Sequence, residues 1–141
     1  MNNKEFLMTF ATEYFALTGE RLSRPIIEEI YEGLPISAAD VVQSSLSLTT
    51  FEACKLLHCS QSTLKRKDFR LSALSSDKAL LLIRVVQYGE DTFGDNLHLC
   101  KWIRSPSLAF DNKTPLEIMS FSIGIDLVLE SLRRQKLSFV A

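Results

Sequence analysis

Apolar residues recur at three- and four-residue spacings along most of the chain, and this period predicts helices rather than strands. The first helix is predicted over residues 4 to 18. Its apolar and aromatic stripe consists of Phe6, Leu7, Phe10, Ala11, Tyr14 and Leu17. A second helix is predicted to begin at Pro25 and to end before Pro35. We expect these two segments to form a helical hairpin.

Polar residues at helix ends divide the middle of the chain into shorter segments. Thr49 or Thr50 is expected to cap an apolar helix that ends near His58. Ser60 is then expected to cap a short polar and basic helix over residues 61 to 67. A short basic helix directly after an apolar one is typical of a helix-turn-helix.

A longer apolar helix is predicted next, with its cap at Ser75 or Ser76 and its end at Tyr88. Its apolar positions are Ala79, Leu80, Leu81, Leu82, Ile83, Val85 and Val86. This surface is wider than a single core-facing stripe, so the helix is predicted either to be buried or to face another subunit. In the second case residues 77 to 88 would form the contact of a homodimer.

Three further helices are predicted in the last third of the chain. Asp95 is expected to cap the first, which ends at Ser105-Pro106. Thr114 and Pro115 suit the cap and first helical position of the second. Ser122 is expected to cap the last helix. The inner face of that helix should hold Ile125, Val128, Leu129 and Leu132.

These elements together predict an all-α protein. Its 141 residues, of which 46% are hydrophobic, suit a packed globular chain. There is neither an apolar run of about 18 residues nor a signal-peptide pattern, which predicts a cytoplasmic protein with no membrane contact. Cys54, Cys59 and Cys100 form no C-x-x-C pair and no even disulfide set, so they are interpreted as reduced thiols.

The net charge is only −1, but the charges are segregated along the chain. Residues 55 to 84 carry seven basic and two acidic side chains, whereas residues 1 to 40 carry three basic and seven acidic ones. This pattern predicts that the middle of the chain faces a polyanion and that the N-terminal part does not. An ordinary solvated helix face would show the same excess of charge.

The short basic segment contains the side chains that a DNA-recognition helix needs. Base edges in the major groove are expected to be contacted by Gln61, Ser62, Thr63 and Lys65. Phosphates are expected to be contacted by Arg66, Lys67 and Arg70. Leu64 would anchor the helix in the core. A solvated basic helix with no nucleic-acid role remains the alternative interpretation.

Catalytic and metal-binding patterns are weak in this sequence. The five glycines form no phosphate-binding loop, and no catalytic residue is assigned. His58 and His98 are far apart, so a metal site with the neighbouring cysteines would have to be assembled by the fold. We therefore predict neither an enzyme nor a metal site.

The last third of the chain contains, in a fixed order, Phe93-Gly94-Asp95, Trp102-Ile103, Ser105-Pro106, Thr114-Pro115-Leu116 and Gly124. This order resembles the C-terminal block of the Xre/MbcA/ParS-type antitoxins. Residues 56 to 66 resemble that family's helix-turn-helix motif, leucine-leucine-glycine-isoleucine-serine followed by threonine-leucine-x-arginine. The resemblance extends over residues 34 to 136. His58 stands where glycine is usual, and Asp111-Asn112 replaces a glycine pair.

The resemblance implies a helix-turn-helix core followed by a small helical toxin-binding domain. It divides the chain into an N-terminal helical hairpin (residues 1–34), an Xre-like helix-turn-helix domain (35–92) and a C-terminal toxin-binding domain (93–141). Toxin contact is expected at Trp102, Arg104, Pro106, Asn112, Lys113, Arg133, Arg134, Lys136 and Phe139.

The resemblance also implies the partners. The chain would bind a cognate toxin, commonly a RES-type enzyme that consumes NAD, and would repress its own operon by binding operator DNA as a homodimer. It would need no cofactor of its own. One alternative is a stand-alone helix-turn-helix regulator whose C-terminal domain mediates dimerisation. Another is a helical scaffold without DNA binding.

Overall fold

The structure, a computed structural model, describes residues 2–140 and the side chains up to Ser138. This part of the chain is helical, and the predicted all-α fold with a helix-turn-helix core is confirmed. The helices are α1 (Asn3–Thr18), α2 (Ile26–Glu32), α3 (Ser37–Ser45), α4 (Thr50–Leu57), α5 (Gln61–Leu64), α6 (Ala73–Phe93), α7 (Asn96–Ile103), α8 (Pro115–Ile118) and α9 (Ser122–Val140), with a 3-10 turn at Leu108–Phe110. In this part of the chain, no helix is both long and apolar enough to cross a membrane.

Helix α6 is the central element, and the other long helices pack around it. It contacts α1 and α2 on the N-terminal side, α3 and α4 of the helix-turn-helix, and α7 and α9 of the C-terminal part. Its buried apolar side chains are Ala79, Leu80, Leu82, Ile83, Val85 and Val86. Of the two interpretations of this helix, burial within its own chain is the one observed. A homodimer contact through residues 77 to 88 is therefore a wrong prediction, because the chain's own helices cover those apolar faces.

Helix α6 is also longer than predicted at both ends. Ser72 rather than Ser75 or Ser76 is its cap, and the Ser72 Oγ accepts a hydrogen bond from the Ser75 backbone N–H at 3.1 Å. The two predicted caps are buried and make tertiary hydrogen bonds instead. The Ser76 Oγ accepts from the Leu34 N–H at 2.8 Å, and the Ser75 hydroxyl donates to the His58 carbonyl at 3.3 Å.

Backbone hydrogen bonds hold the segment between α5 and α6 against the segment between α2 and α3. The Leu71 N–H donates to the Leu34 carbonyl at 2.8 Å, and the Ile36 N–H donates to the Phe69 carbonyl at 3.1 Å. Gly33 permits this approach, since a Cβ there would lie 2.1 Å from the Leu71 oxygen. The basic segment therefore has one fixed end at α5 and another at this short pairing.

Two of the three predicted caps in the C-terminal part hold, and the third does not: α9 begins at Ser122, so Ser122 is its first helical residue rather than its cap. Asp95 caps α7, and Thr114 caps α8, where its side chain accepts from the Glu117 N–H at 3.1 Å. The inner face of α9 packs on α6 and α8 through Ile125, Val128 and Leu132, which are fully buried.

Candidate DNA-binding and toxin-binding surfaces

Helices α4 and α5 form the predicted helix-turn-helix, with a shorter second helix than expected. Thr49 caps α4, which ends at His58 in the left-handed conformation (φ 53°). Ser60 caps α5 and accepts a hydrogen bond from the Thr63 N–H at 3.2 Å. Helix α5 ends at Leu64, so residues 65 to 67 lie in the following turn rather than in the helix. Leu64 is the one apolar anchor of this segment, and the polar residues after it offer no further packing to extend the helix.

The predicted DNA-contacting side chains of this segment lie together on the surface. Five of them are exposed, namely Gln61, Ser62, Lys65, Arg66 and Lys67. Thr63 is half-buried, and its hydroxyl lies 2.9 Å from the Ser60 Oγ. The Arg66 guanidinium lies over the Phe69 ring, 5.0 Å from its centroid. The surface therefore presents amide, hydroxyl and cationic donors within one short stretch.

Arg70 is placed differently from the other predicted DNA contacts. Its Nη1 donates to the Gly33 carbonyl at 2.7 Å, at the C-terminal end of α2. One edge of its guanidinium therefore stabilises the fold, and only the remaining donors are left for a phosphate.

Two side chains join the helix-turn-helix to the turn between α8 and α9. The His58 Nε2 lies 3.2 Å from the Ser120 carbonyl, and the Lys78 ammonium donates to the Met119 carbonyl at 2.8 Å. Lys78 is only 2% exposed, and its burial lowers the pKa of the amine. The turn that precedes α5 is thus in direct contact with the C-terminal part of the chain.

A third contact joins α4 to the end of α7. Arg104, predicted to bind the toxin, forms a two-pronged ion pair with Glu52, with N–O distances of 2.9 and 2.8 Å. It also donates to the Ser47 carbonyl at 2.8 Å. The guanidinium holds the pKa of the Glu52 carboxyl down to about 2, with a smaller lowering from the Thr49 N–H. Arg104 therefore has an internal role in the free protein.

The other predicted toxin contacts in this region form an exposed loop beside a partly buried tryptophan. The Trp102 ring packs 5.7 Å from the Phe93 ring. Pro106, Asn112 and Lys113 are exposed. The loop closes where the Ser107 N–H donates to the Lys113 carbonyl at 3.1 Å.

The basic residues near the end of α9 are exposed and paired with carboxylates. Arg133 and Arg134 both contact Glu130, at 2.6 and 3.2 Å, and Lys136 pairs with Asp91 of α6. The side chain of Phe139 lies outside the described residues. The predicted toxin contacts thus fall into two groups, the loop after Trp102 and the last turns of α9.

One group of exposed apolar residues was not predicted from the sequence. Phe121, Ile123 and Leu127 lie at the start of α9 and point away from the core. Their spacing is visible in the sequence, since Ile123 and Leu127 are four residues apart and out of phase with the inner face. The predicted inner face is sufficient to explain the packing of α9, so helical periodicity alone does not indicate a function for these three residues.

The histidine, cysteine and carboxylate side chains of the described residues form no cluster that could bind a metal ion. Within residues 2–140, no group of three or more His, Cys, Asp or Glu side chains could hold a metal ion. Cys54, Cys59 and Cys100 are free cysteines and half-buried.

Comparison with protein families identifies both halves of this arrangement. Residues 25–84 match the antitoxin Xre-like helix-turn-helix domain, and residues 89–136 match the antitoxin Xre/MbcA/ParS C-terminal toxin-binding domain. No curated protein sequence matches the chain significantly. The two matched segments cover most of the chain, which belongs to the Xre/MbcA/ParS-type antitoxins, as the resemblance predicted.

An antitoxin with these two domains acts by neutralising a toxin and by binding DNA. The exposed basic segment lies within the matched helix-turn-helix domain. The loop after Trp102 and most of α9 lie within the matched toxin-binding domain.

Proposed function

We propose that this antitoxin neutralises a RES-type toxin encoded beside it, an enzyme that consumes NAD, and represses the promoter that they share. The observation that carries the proposal is the presence in one chain of a toxin-binding domain and a helix-turn-helix with an exposed basic segment. NAD chemistry would belong to the toxin, and the antitoxin would act as a binding protein without a cofactor.

In this proposal the last turns of α9 cover the entrance to the nucleotide-binding pocket of the toxin. The exposed Arg133, Arg134 and Lys136 support it, because their carboxylate partners are also on the surface. Exchanging such exposed ion pairs for pairs with a partner costs little, because solvent already screens them.

Co-expression with the neighbouring open reading frame tests neutralisation. The full chain is expected to restore growth to cells that express the neighbouring protein, and a chain truncated after Leu132 is expected to fail. Leu132 is the last fully buried residue of α9 among those described, so the truncated chain should keep its core and its melting temperature within a few degrees. If the truncated chain neutralised the toxin fully, the proposed role of residues 133–141 would be wrong. A neighbouring protein without toxicity would favour a stand-alone regulator.

We further propose that the antitoxin binds its operator as a homodimer, with two α5 segments about one DNA turn, roughly 34 Å, apart. Gln61, Ser62, Thr63 and Lys65 would contact base edges. Arg66, Lys67 and the free donors of Arg70 would contact phosphates. Both groups lie on one short surface, which supports a single docking position in the major groove.

The salt dependence of operator binding tests this assignment. Replacing Lys65, Arg66 and Lys67 by alanine is expected to reduce the slope of log K against log salt by about 0.9 for each phosphate that is no longer neutralised. A charge-matched control replaces the exposed Lys4, Arg21 and Lys101, which lie outside this segment. Equal slopes in the two triple variants would show that residues 65 to 67 do not contact DNA phosphates.

We also propose that residues 1–34, 35–92 and 93–141 serve as hairpin, DNA-binding and toxin-binding parts, respectively. The second boundary falls at the last turn of α6. Helix α6 as a whole contacts elements of all three parts. Substitutions in one part are thus expected to affect its own partner first.

A further inference from the structure

The start of α9 carries three large apolar side chains that the fold leaves exposed. Phe121 is 70% exposed, Ile123 75% and Leu127 50%. Ile123 and Leu127 are four residues apart on a helix and therefore lie on the same face, with Phe121 just before the first turn. We call these three residues the α9 patch.

The α9 patch is not needed to anchor α9 in the core. Ile125, Val128 and Leu132 are fully buried against α6 and α8 and anchor the helix. Single exposed apolar residues are common on protein surfaces, but adjacent large ones mark interaction sites. DNA is an unsuitable partner because the patch offers neither cations nor hydrogen-bond donors.

The stripe that begins at the α9 patch continues toward the basic end of the helix. From Ile123 and Leu127, helical steps of three and four residues reach Glu130, then Arg134 and Leu137. Leu137 is exposed like the patch residues. One face of α9 therefore combines apolar anchors at both ends with a charged pair between them.

We propose that the toxin docks on the α9 patch, so that the outer face of α9 lies in an apolar groove of the toxin. The choice of the toxin over a second copy of the chain rests on position, since all three residues fall within the matched toxin-binding segment 89–136. The mode is that of an amphipathic helix in a groove, in which residues at i and i+4 act as anchors. This inference rests on the proposed function and adds the surface through which the toxin is held.

The patch adjoins the helix-turn-helix at its N-terminal end. Phe121 and Ser120 line a depression of about 700 Å3 together with Lys55, His58 and Ser60 of the α4–α5 region. Ser60 is the cap of α5. A toxin seated on the patch would therefore reach the turn that precedes the DNA-binding segment.

A double substitution, Ile123→Gln with Leu127→Gln, tests the proposal in the full chain. Its affinity for the purified product of the neighbouring open reading frame is measured by calorimetry. We expect about a hundredfold weaker binding, tenfold for each side chain, and tenfold is equivalent to about 1.4 kcal/mol. Glutamine is a good helix former and both positions are exposed, so circular dichroism should show unchanged helicity. Phe121→Gln, which lies outside the helix, provides an independent variant.

A matched control, Met8→Gln with Ile27→Gln, removes two apolar side chains of comparable exposure from the groove between α1 and α2. Its toxin affinity is expected to stay within about threefold of that of the unmodified chain. If the α9 variants bound the toxin as the unmodified chain does, the patch proposal would be overturned and the proposed function would stand. Unchanged toxin binding with a loss of self-association would assign the patch to a second copy instead. If the unmodified chain neither bound nor neutralised the neighbouring protein, both proposals would fail.

Discussion

Three residues that replace glycines of the family pattern keep a backbone conformation that is typical of glycine. His58, Asp111 and Asn112 have φ values of 53°, 56° and 64°, in the left-handed region that favours glycine. The family pattern has glycine at the first position and a glycine pair at the other two. His, Asp and Asn are the non-glycine residues most often found in this region. The substitutions therefore keep the turn before α5 and the loop before α8 in a glycine-like shape.

Gly124 is the residue whose replacement is expected to be most damaging to the C-terminal packing. An added Cβ would lie 1.7 Å from the Ile118 carbonyl oxygen, so Gly124→Ala must push α9 away from α8. We expect it to lower the free energy of unfolding by about 3 kcal/mol, measured by urea denaturation. The control Ser138→Ala lies at an exposed position of the same helix and should be neutral. A cost below about 1 kcal/mol would show that α9 shifts freely.

The sequence contains no signal for the group that Gly124 approaches. That group depends on the turn between α8 and α9, whose shape no local signal specifies. For the same reason the burial of Lys78 could not be predicted, because its acceptor, the Met119 carbonyl, is 41 residues away.

At the scale of elements, the predicted caps located most helices. The exceptions are Ser75 and Ser76, which have tertiary partners, and Ser122, which is the first residue of α9. Ser60, Asp95 and Thr114 act as caps, as predicted, because their side chains bond to a nearby backbone N–H. Ser75 and Ser76 are equally good candidates in sequence, but they bond to His58 and Leu34 across the fold. Helix α5 is shorter than predicted because Leu64 is its one apolar anchor, and the residues after Leu64 offer no further packing.

The ion pair between α4 and α7 predicts an acid sensitivity. The pKa of Glu52 is about 2 in the folded protein and near 4.5 when unfolded, so the pair stabilises the fold fully above pH 4.5. This stability is lost as the pH falls from 4.5 toward 2. Because the Arg104 side chain is 42% exposed, solvent screening reduces the effect to about 1 kcal/mol.

Urea denaturation at several pH values measures this effect against Glu52→Gln. The variant should be less stable at pH 7 and should show a shallower loss of stability between pH 4.5 and 2.5. Glu28→Gln, at an exposed position of α2, should follow the unmodified chain. Parallel pH profiles for the unmodified chain and Glu52→Gln would mean that the ion pair contributes nothing in solution.

At the scale of the whole molecule, the DNA-binding and toxin-binding parts are tied by side chains rather than separated by a linker. The contacts that connect them include those of His58 with Ser120, Lys78 with Met119, and Arg104 with Glu52. Helical periodicity predicted the order of the elements and the separation of the two surfaces. It could not predict these contacts, because each joins residues far apart in sequence whose proximity arises only in the folded chain.

These contacts predict that toxin binding and operator binding influence each other. The proposed docking site begins at Phe121, next to the Ser120 carbonyl that His58 contacts. A toxin that shifts this turn would shift His58, two residues before the cap of α5, and the effect must be reciprocal in binding free energy. We expect the operator affinity to change at least about fivefold when the toxin is bound, within the usual range of coupling.

His58→Asn is the variant that separates this coupling from the two binding functions. Asparagine tolerates the left-handed conformation at this position but is too short to replace the imidazole contact with Ser120. Operator affinity without toxin should therefore stay within about twofold, whereas the ratio of affinities with and without toxin should fall toward one. His98→Asn, at an exposed position of α7, should keep the ratio of the unmodified chain. Fluorescence anisotropy with labelled operator DNA measures the operator affinity of each variant with and without toxin. An unchanged ratio of these two affinities in His58→Asn would show that the contact of His58 with Ser120 does not carry the coupling.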